Sequence, residues 1–551
     1  MDAQSGSGGR RGRPYRPPRP TPARAGWSEQ QHRVGWLLRV NRLYSGDERW
    51  QRESEFAADF HGGCWPERTS VYRISRWETA AVRVPYLAVR RYEELLQLPA
   101  HRLVVLIDTV YRYSAAVSGA APLLQRQPFR DVPESVDRME ELVEAVQSDD
   151  VVTGVQWDEL TALLGGAGQV ILPRSTWAHL AERLLAEMIV ADGVAWAQRY
   201  EALNRLLAHP LGQQPAVAAC ASLAADRTNQ VFVETVSALD SSPHPDAAAH
   251  VMAQLVHPTN DRSQYGALLA CVRKLRYGHF TESQVRRLVP IVNNFAADPV
   301  HYEDTRRLAT ELLRRIPADL PTDARLRLRH AAYPARGPYH PPLGTDSQWA
   351  LAERIANTSV AGMAREAPRF PDTLLPTLVR EMLFSPVFDV RLYAAILLFG
   401  TPYRSPLATA LAVELQSQVG TGGTNLARTL LEALRILGSG EQRPLVERLT
   451  IAAGLPSVVT LAAASTIGHI GGSSPDRYWT TAIEHHLRVW RSTGSRTSAS
   501  ALDGLIYGLG ITRNIPLLRL VHAHPGIPSP ARVAAGWWLN LPRWVYEGAN
   551  R

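Results

Sequence analysis

The sequence predicts an all-α protein. Over most of the 551 residues, apolar side chains recur at the three- and four-residue spacing of a helix face. The segments with this spacing are about 10–18 residues long, and proline or glycine separates them, as in helix–turn–helix arrays. A chain of this length suits about three domains rather than one core.

Residues 1–26 are predicted to be a disordered arm rich in arginine and proline, because this composition cannot bury a core. Within it, Arg11-Gly12-Arg13-Pro14 resembles the centre of an AT-hook, whose arginines enter narrow A·T minor grooves. Alternatively, the arm binds phosphates without sequence preference. Arg11 and Arg13 are DNA-binding candidates under both interpretations.

Residues 27–114 are predicted to form a small helical domain. The apolar spacing favours five helices, near residues 34–44, 49–60, 70–79, 86–97 and 99–113. The third helix begins with a good N-cap, Ser70, whose hydroxyl can accept a hydrogen bond from the first turn. Val71, Ile74 and either Trp77 or Glu78 then fall on one face and are expected to be buried.

The opposite face of this third helix carries side chains suited to DNA. The residues left facing outward are Ser70, Tyr72, Arg73 and Arg76. A short, capped helix with two outward arginines fits the major groove, because a guanidinium matches the O6/N7 edge of guanine. Arg68, in the loop before this helix, is a further DNA-binding candidate.

The pattern S-x-x-x-I-S-R-W-E from Ser70 to Glu78, followed by a proline and Y-x-x-L-L-x-L-P, resembles the XRE (Cro-type) helix-turn-helix regulators. The resemblance implies that the helix after Ser70 is the recognition helix and that Glu78 is structural. It implies the same base-reading residues as the helical spacing, and a possible homodimer on a pseudo-palindromic double-stranded DNA site.

The chain departs from the family pattern at two places. Thirteen residues separate Ala57 from Ser70, where the family has six, so the turn between the second and third helices is expected to be a longer loop. Ala80 or Ala81 stands where the family has a glycine after the structural glutamate.

Charge is concentrated in the same part of the chain. The net charge is +8, and residues 1–112 contain 19 arginines and 12 acidic residues, a net of +7. Of the 60 basic residues, only Lys274 is lysine. Positive charge at the end that carries the helix-turn-helix pattern indicates nucleic-acid binding. A basic tail that aids solubility would account for about half of the excess.

The remainder is predicted to be a linker over 115–133, a helical region over 134–332 that includes possible divergent repeats, a proline-rich break over 333–345, and helix pairs over 346–551. The sequence P-V-F-D-V-R-L-Y-A-A from Pro386 is similar to the second helix of a HEAT repeat. Weaker copies end at Gly438, Gly468 and Gly510. The resemblance implies an α-solenoid, in which stacked pairs bury a continuous core.

Three C-terminal tryptophans, Trp537, Trp538 and Trp544, are unusually close together. They are expected to seal the last helix pair, because a terminal repeat needs a cap. The alternative is an exposed patch that binds a partner, since tryptophan is enriched at interface hot spots.

No catalytic, metal or cofactor site is predicted. The glycine-rich run at 165–168 lacks the lysine of a phosphate-binding loop, the histidines lack metal-ligand spacing, and no nucleophile–base set can be assembled. Cys64, Cys220 and Cys271 do not form a disulfide framework. No apolar run approaches the ~18 residues of a membrane span, so no membrane contact and a cytoplasmic, nucleoid-associated location are expected.

The sequence thus predicts a small helix-turn-helix domain followed by an α-solenoid of HEAT-like helix pairs. The expected function is a sequence-specific, DNA-binding transcriptional regulator whose C-terminal region binds a protein partner or effector, or joins two copies. The alternative is a protein-interaction scaffold with a degenerate helix-turn-helix, since solenoids commonly grip other macromolecules.

Overall fold

The computed structural model describes residues 25–114, 133–148, 150–166, 172–299, 301, 303–316, 345–363 and 372–549. These ranges contain 27 α-helices and no β-strand, which confirms the all-α prediction. The first five are α1 (Ala25–Leu43), α2 (Glu53–Asp59), α3 (Val71–Glu78), α4 (Tyr86–Leu95) and α5 (Arg102–Ser114). A 3-10 turn, Glu48–Gln51, precedes α2.

The middle of the chain forms ten helices. They are α6 (Pro133–Gln147), α7 (Gly154–Gly166), α8 (Arg174–Val190), α9 (Gly193–Ala208), α10 (Gln213–Ala225), α11 (Phe232–Ser237), α12 (Pro245–Val256), α13 (Asp261–Tyr277), α14 (Glu282–Ala297) and α15 (Glu303–Arg315).

The C-terminal part forms twelve helices. They are α16 (Asp346–Ala361), α17 (Leu374–Phe384), α18 (Phe388–Phe399), α19 (Arg404–Thr421), α20 (Thr424–Leu437), α21 (Arg443–Ile451), α22 (Ser457–Thr466), α23 (Asp476–Thr493), α24 (Arg496–Ile511), α25 (Ile515–Ala523), α26 (Ser529–Leu539) and α27 (Arg543–Ala549). Within the described ranges, no helix has the length and apolar composition needed to cross a bilayer.

The five N-terminal helices lie close to their predicted positions, with one difference. α1 begins at Ala25 and therefore includes the last two residues assigned to the disordered arm. The rest of that arm, residues 1–24 with Arg11 and Arg13, lies outside the described residues, as do most of the linker at 115–133 and of the proline-rich break at 333–345.

From α17 onward, consecutive C-terminal helices pack in pairs, and the second helix of each pair contacts the second helix of the next pair. Small residues allow this approach. A Cβ on Gly468 would lie 2.9 Å from the Gly508 Cα, and one on Gly504 would lie 3.1 Å from the Ala464 backbone. α22 and α24 can therefore meet almost backbone to backbone.

The N-terminal helices are not a separate body, because α1 packs against the start of the C-terminal pairs. The Arg33 guanidinium donates two hydrogen bonds of 2.8 Å to the buried Glu381 carboxylate of α17. The Trp36 indole donates to Asp372 at 2.9 Å, and the Asn41 amide donates to the Gly400 carbonyl at 3.0 Å. One face of α1 is thereby fixed to α17 and α18.

α5 makes a second set of buried polar contacts, with α9. Arg112 donates to the Glu201 carboxylate at 2.9 Å, and the Thr109 hydroxyl donates to the same group at 2.7 Å. Arg205 of α9 donates in the other direction, to Asp108 at 3.0 Å. The buried apolar residues form one connected core from Val34 to Ala549, so the predicted segments share a single interior.

The C-terminal tryptophans close this core rather than forming an exposed patch. Trp538 is completely buried, and a Cβ on Gly510 would collide with its ring. The Arg183 guanidinium of α8 lies 5.0 Å from the Trp544 ring centroid, and Arg199 donates to the Gly548 carbonyl. The last helix, α27, therefore returns to pack on α8.

Stability is expected to fall with acid through His279, which follows α13. Its Nδ1 lies 2.9 Å from the Asp240 carbonyl oxygen, and burial together with the Lys274 ammonium lowers its pKa to about 4. The unfolded chain, with an ordinary histidine pKa near ~6.5, binds the proton first as pH falls. The free energy of unfolding therefore falls between about pH 6.5 and 4, and the part of this loss that is due to His279 reaches about 3 kcal/mol.

The measurement is the thermal midpoint between pH 4 and 7. His279→Asn, whose amide can donate the same hydrogen bond but does not titrate, should show a shallower fall than the wild type. His250→Asn, at an exposed position of α12, should retain the wild-type profile. An unchanged slope in His279→Asn would contradict this assignment.

Candidate nucleic-acid interface

The candidate recognition helix, α3, is held against α1 at its C-terminal end. A Cβ on Gly35 of α1 would lie 2.7 Å from the Glu78 carbonyl oxygen, so only glycine allows this crossing. The Glu78 carboxylate accepts hydrogen bonds of 2.7 Å and 2.6 Å from the buried Arg42 guanidinium. Glu78 therefore lies in the interior, as expected for a structural glutamate.

Tyr92 of α4 completes the contact. Its hydroxyl donates to Glu78 at 2.9 Å, and burial, reinforced by the negative charge of Glu78, raises the pKa of this hydroxyl well above its ordinary value. Tyr92 therefore remains protonated and donates at any physiological pH. Helices α1, α3 and α4 meet at one satisfied carboxylate.

The N-terminal turn of α3 extends past this contact into solvent. The Ser70 hydroxyl accepts from the Arg73 backbone N–H at 3.2 Å, which confirms the predicted N-cap. Tyr72 is 71% exposed. Val71 is 42% exposed, so the prediction that it is buried was wrong, while Ile74 and Trp77 are buried as predicted. Val71 is exposed because α3 meets α1 at its last turn and not its first.

Both predicted arginines lie on this surface, and aromatic rings support them. The Arg73 guanidinium carbon lies 4.9 Å from the Trp65 ring centroid and 5.4 Å from that of Trp77. Arg76 lies 5.4 Å from the ring of Tyr72. A guanidinium that stacks on aromatic faces has fewer conformations, so it is partly preorganised for a ligand.

The loop between α2 and α3 has a defined structure. Gly62 and Trp65 exchange backbone hydrogen bonds of 2.8 Å and 3.0 Å, with Gly63-Cys64 at the tip. Arg91 of α4 anchors the start of the loop by donating to the Phe60 carbonyl at 2.9 Å. The thirteen-residue spacing thus corresponds to a longer loop, as expected, and this loop is attached to α4.

This loop brings two residues to the interface that the sequence reasoning missed. The buried Trp65 ring packs edge-on against Trp77, and the Glu67 carboxylate lies 3.2 Å from Arg73 Nη1. The signal was a tryptophan within an otherwise polar insertion, which indicates a packed loop rather than a flexible one.

Five of the seven predicted DNA-binding residues therefore lie together. Arg68 and Ser70 are exposed beside Tyr72, and Arg73 and Arg76 are half-buried on the same short stretch. Elsewhere in the described residues, no group of three or more histidine, cysteine, aspartate or glutamate side chains is arranged to hold a metal ion. The best-defined polar surface suited to a ligand is this one.

No family model, curated protein or solved structure with which the chain was compared matches it.

Ala80, one of the two alanines that stand where the XRE pattern has a glycine, has a backbone conformation that favours glycine. It follows α3 with φ at 60°, and its N–H donates to the Trp77 carbonyl at 3.2 Å. The left-handed conformation strains any residue with a Cβ and favours glycine. Ala80→Gly should therefore stabilise the protein by about 1 kcal/mol, seen as a rise in thermal midpoint.

Ala81→Gly is the matched control, because Ala81 is exposed and its φ is not positive. It should leave the midpoint unchanged or lower it. If both variants have the same effect, the strain at Ala80 is not what limits stability here.

Proposed function

We propose that the protein is a sequence-specific regulator of transcription that reads double-stranded DNA with α3. The observation that carries the proposal is a short, N-capped helix whose outer turn presents Tyr72, Arg73 and Arg76, fixed from below by the buried Glu78. This surface suits an XRE-like helix-turn-helix, the family that residues 27–114 resemble.

The dimensions of α3 fit a major groove. Eight residues form a helix about 12 Å long, and a B-DNA major groove is about 12 Å wide. Arg73 and Arg76 can each donate two hydrogen bonds to a guanine edge. The exposed Val71 and Tyr72 offer apolar contact to a thymine methyl group, and Arg68 lies where a phosphate would flank the groove.

Glu67 gives the free protein an internal partner for Arg73. An exposed ion pair of this kind contributes little to stability, so DNA can displace it at low cost. Displacement by a non-cognate sequence would leave Glu67 facing phosphates without a compensating base contact. The Glu67–Arg73 pair thus weakens binding to non-cognate DNA more than binding to the cognate site.

The helices of residues 346–551 are proposed to form a HEAT-like solenoid that binds a protein partner or effector, or joins two copies. The stacked pairs from α17 to α26 support this arrangement. Arg33 of α1 donates to Glu381 of α17, and Tyr393 of α18 donates to the Thr109 carbonyl of α5. A ligand that changes the packing of these pairs would therefore also change the position of α3. A cytoplasmic, nucleoid-associated location follows from this function.

A scaffold with a degenerate helix-turn-helix is the second candidate. The observation in its favour is the Glu67 carboxylate, which lies within the proposed DNA surface and partly neutralises Arg73. In that case α3 would serve only as packing, and its exposed residues could be replaced without consequence for binding.

Sequencing genomic fragments retained by the full-length protein at about 150 mM salt separates the two. An Arg73→Ala/Arg76→Ala double variant is treated in parallel. A shared motif enriched by the wild type alone supports the regulator, and the symmetry of the motif reports the oligomeric state. Equal retention of random fragments by both proteins supports the scaffold.

Arg73→Ala should weaken binding to the enriched fragment by about 1–3 kcal/mol and relax preference at one base pair, because it removes a bidentate base contact. Fluorescence anisotropy on the cognate duplex and on each single-base variant measures both effects. An equal loss on cognate and random duplexes would rule out base reading by Arg73.

Glu67→Gln should strengthen DNA binding, whereas Arg73→Ala should weaken it. Removing a carboxylate beside the groove should strengthen binding to random duplexes several-fold and reduce the ratio of cognate to random affinity. Glu282→Gln on α14 removes the same charge from another exposed Glu–Arg pair and should change neither quantity. If Glu67→Gln instead lowers the affinity for random duplexes, Glu67 favours DNA binding and does not oppose it.

A further inference from the structure

The surface formed by α23, α25 and the first turn of α24 carries exposed arginines without acidic partners. They are Arg477, Arg488, Arg491, Arg496 and Arg519. Among the described residues, none of the five lies within ion-pair distance of a carboxylate. Residues 476–549 contain eight arginines and four acidic residues, so this end of the chain is locally basic.

Elsewhere in the described helices, exposed arginines occur both with and without a carboxylate partner. Arg286, Arg307 and Arg354 each contact a carboxylate, from Glu282, Asp304 and Glu414 respectively. Arg174, Arg287 and Arg448 are exposed without such a contact. The arginines of α23–α25 are distinguished by their clustering on neighbouring helices, and of the five Arg491 alone donates a side-chain hydrogen bond, to the Gly526 carbonyl.

Three of the five share one face of α23. Arg488 and Arg491 lie eleven and fourteen residues after Arg477, which places all three within about 60° around the helix axis and over about 20 Å of its length. Glu484 stands on the same face, so the net charge there remains positive. Arg496 follows directly after the turn at Gly494 that ends α23.

α25 runs beside α23. At one end the Asn514 amide donates to Asp476 at 2.7 Å, and at the other Arg491 donates to the Gly526 carbonyl at 2.6 Å. Arg519 is exposed on α25 between these two contacts. The arginines therefore lie on two neighbouring helices of one surface.

We propose that this surface, Arg477–Arg488–Arg491 with Arg496 and Arg519, binds the phosphate backbone of double-stranded DNA as a second contact that does not read sequence. Guanidinium groups match phosphate oxygens in bidentate fashion. The choice of DNA rests on the proposed function of α3. The spread of positive charge over two neighbouring helices suits an extended polyanion such as duplex DNA, whose phosphates recur at regular spacing.

The test uses full-length protein and a random-sequence 40-bp duplex, with binding followed by fluorescence anisotropy from about 50 to 300 mM KCl. Each phosphate contact contributes about 0.9 to the slope of log affinity against log salt. Arg477→Gln/Arg488→Gln/Arg491→Gln should therefore reduce that slope by about two to three. Its thermal midpoint should fall only slightly, because no ion pair is lost and only the exposed hydrogen bond from Arg491 to the Gly526 carbonyl is removed.

The matched control is Arg286→Gln/Arg307→Gln/Arg354→Gln, which removes the same charge from paired arginines. It should leave the slope unchanged. An equal reduction in both triple variants would mean that overall charge, and not this surface, governs binding. Should the first variant fold poorly, Arg477→Gln/Arg488→Gln keeps the Arg491 hydrogen bond and should reduce the slope by about two.

Failure of this proposal is distinguishable from failure of the α3 proposal. An unchanged slope together with an enriched genomic motif overturns the second contact alone. A reduced slope without any enriched motif supports the second contact and contradicts the proposal that α3 reads bases. Tighter binding of polyglutamate than of duplex at equal ionic strength would overturn DNA as the partner.

Discussion

The buried ion pair between Arg42 and Glu78 determines where α3 lies, and the proposed DNA surface depends on it. Two charged hydrogen bonds and the Tyr92 hydroxyl satisfy the Glu78 carboxylate in the interior. Loss of one partner would leave an uncompensated buried charge, which typically costs about 3–5 kcal/mol. The geometry of the outer turn of α3 is therefore set by a contact at its opposite end.

α1 connects α3 to the C-terminal helix pairs. One side of α1 provides Arg42 and Gly35 for α3, and the other provides Arg33 and Trp36 for the helix pairs that begin at α17. A helix shared by two units cannot tilt in one without disturbing the other, because packed interiors resist continuous deformation. This sharing is the physical basis of the proposed coupling between the C-terminal helix pairs and the proposed DNA surface.

Local patterns were sufficient to predict α3. The N-cap at Ser70 and the buried Ile74 and Trp77 follow from spacing within eight residues, and the structure places them as expected. The structural role of Glu78 was implied by the family resemblance, and its carboxylate is buried. Val71 was mispredicted because its burial depends on where α1 crosses α3. That crossing is set by Gly35, a position with no local signal in α3 itself.

Long-range partners could not be predicted from one sequence. Arg33 and Glu381 are 348 residues apart, and nothing in either segment specifies the other. Asp389 belongs to the HEAT-like segment that begins at Pro386, and its side chain accepts hydrogen bonds from Arg273, 116 residues earlier in the chain. Such pairs explain why segments with distinct sequence patterns form one core. Arg11 and Arg13 lie outside the described residues and remain DNA-binding predictions from sequence.

The most direct test of α3 as the DNA-reading helix is hydroxyl-radical footprinting of the unmodified full-length protein, with mass spectrometry to follow Tyr72. Tyr72 is 71% exposed in the free protein, and Val413 on α19, at 64%, provides an internal reference. With duplex bound at saturation, oxidation of Tyr72 should fall while that of Val413 stays constant. Equal oxidation of Tyr72 with and without bound duplex would contradict the account.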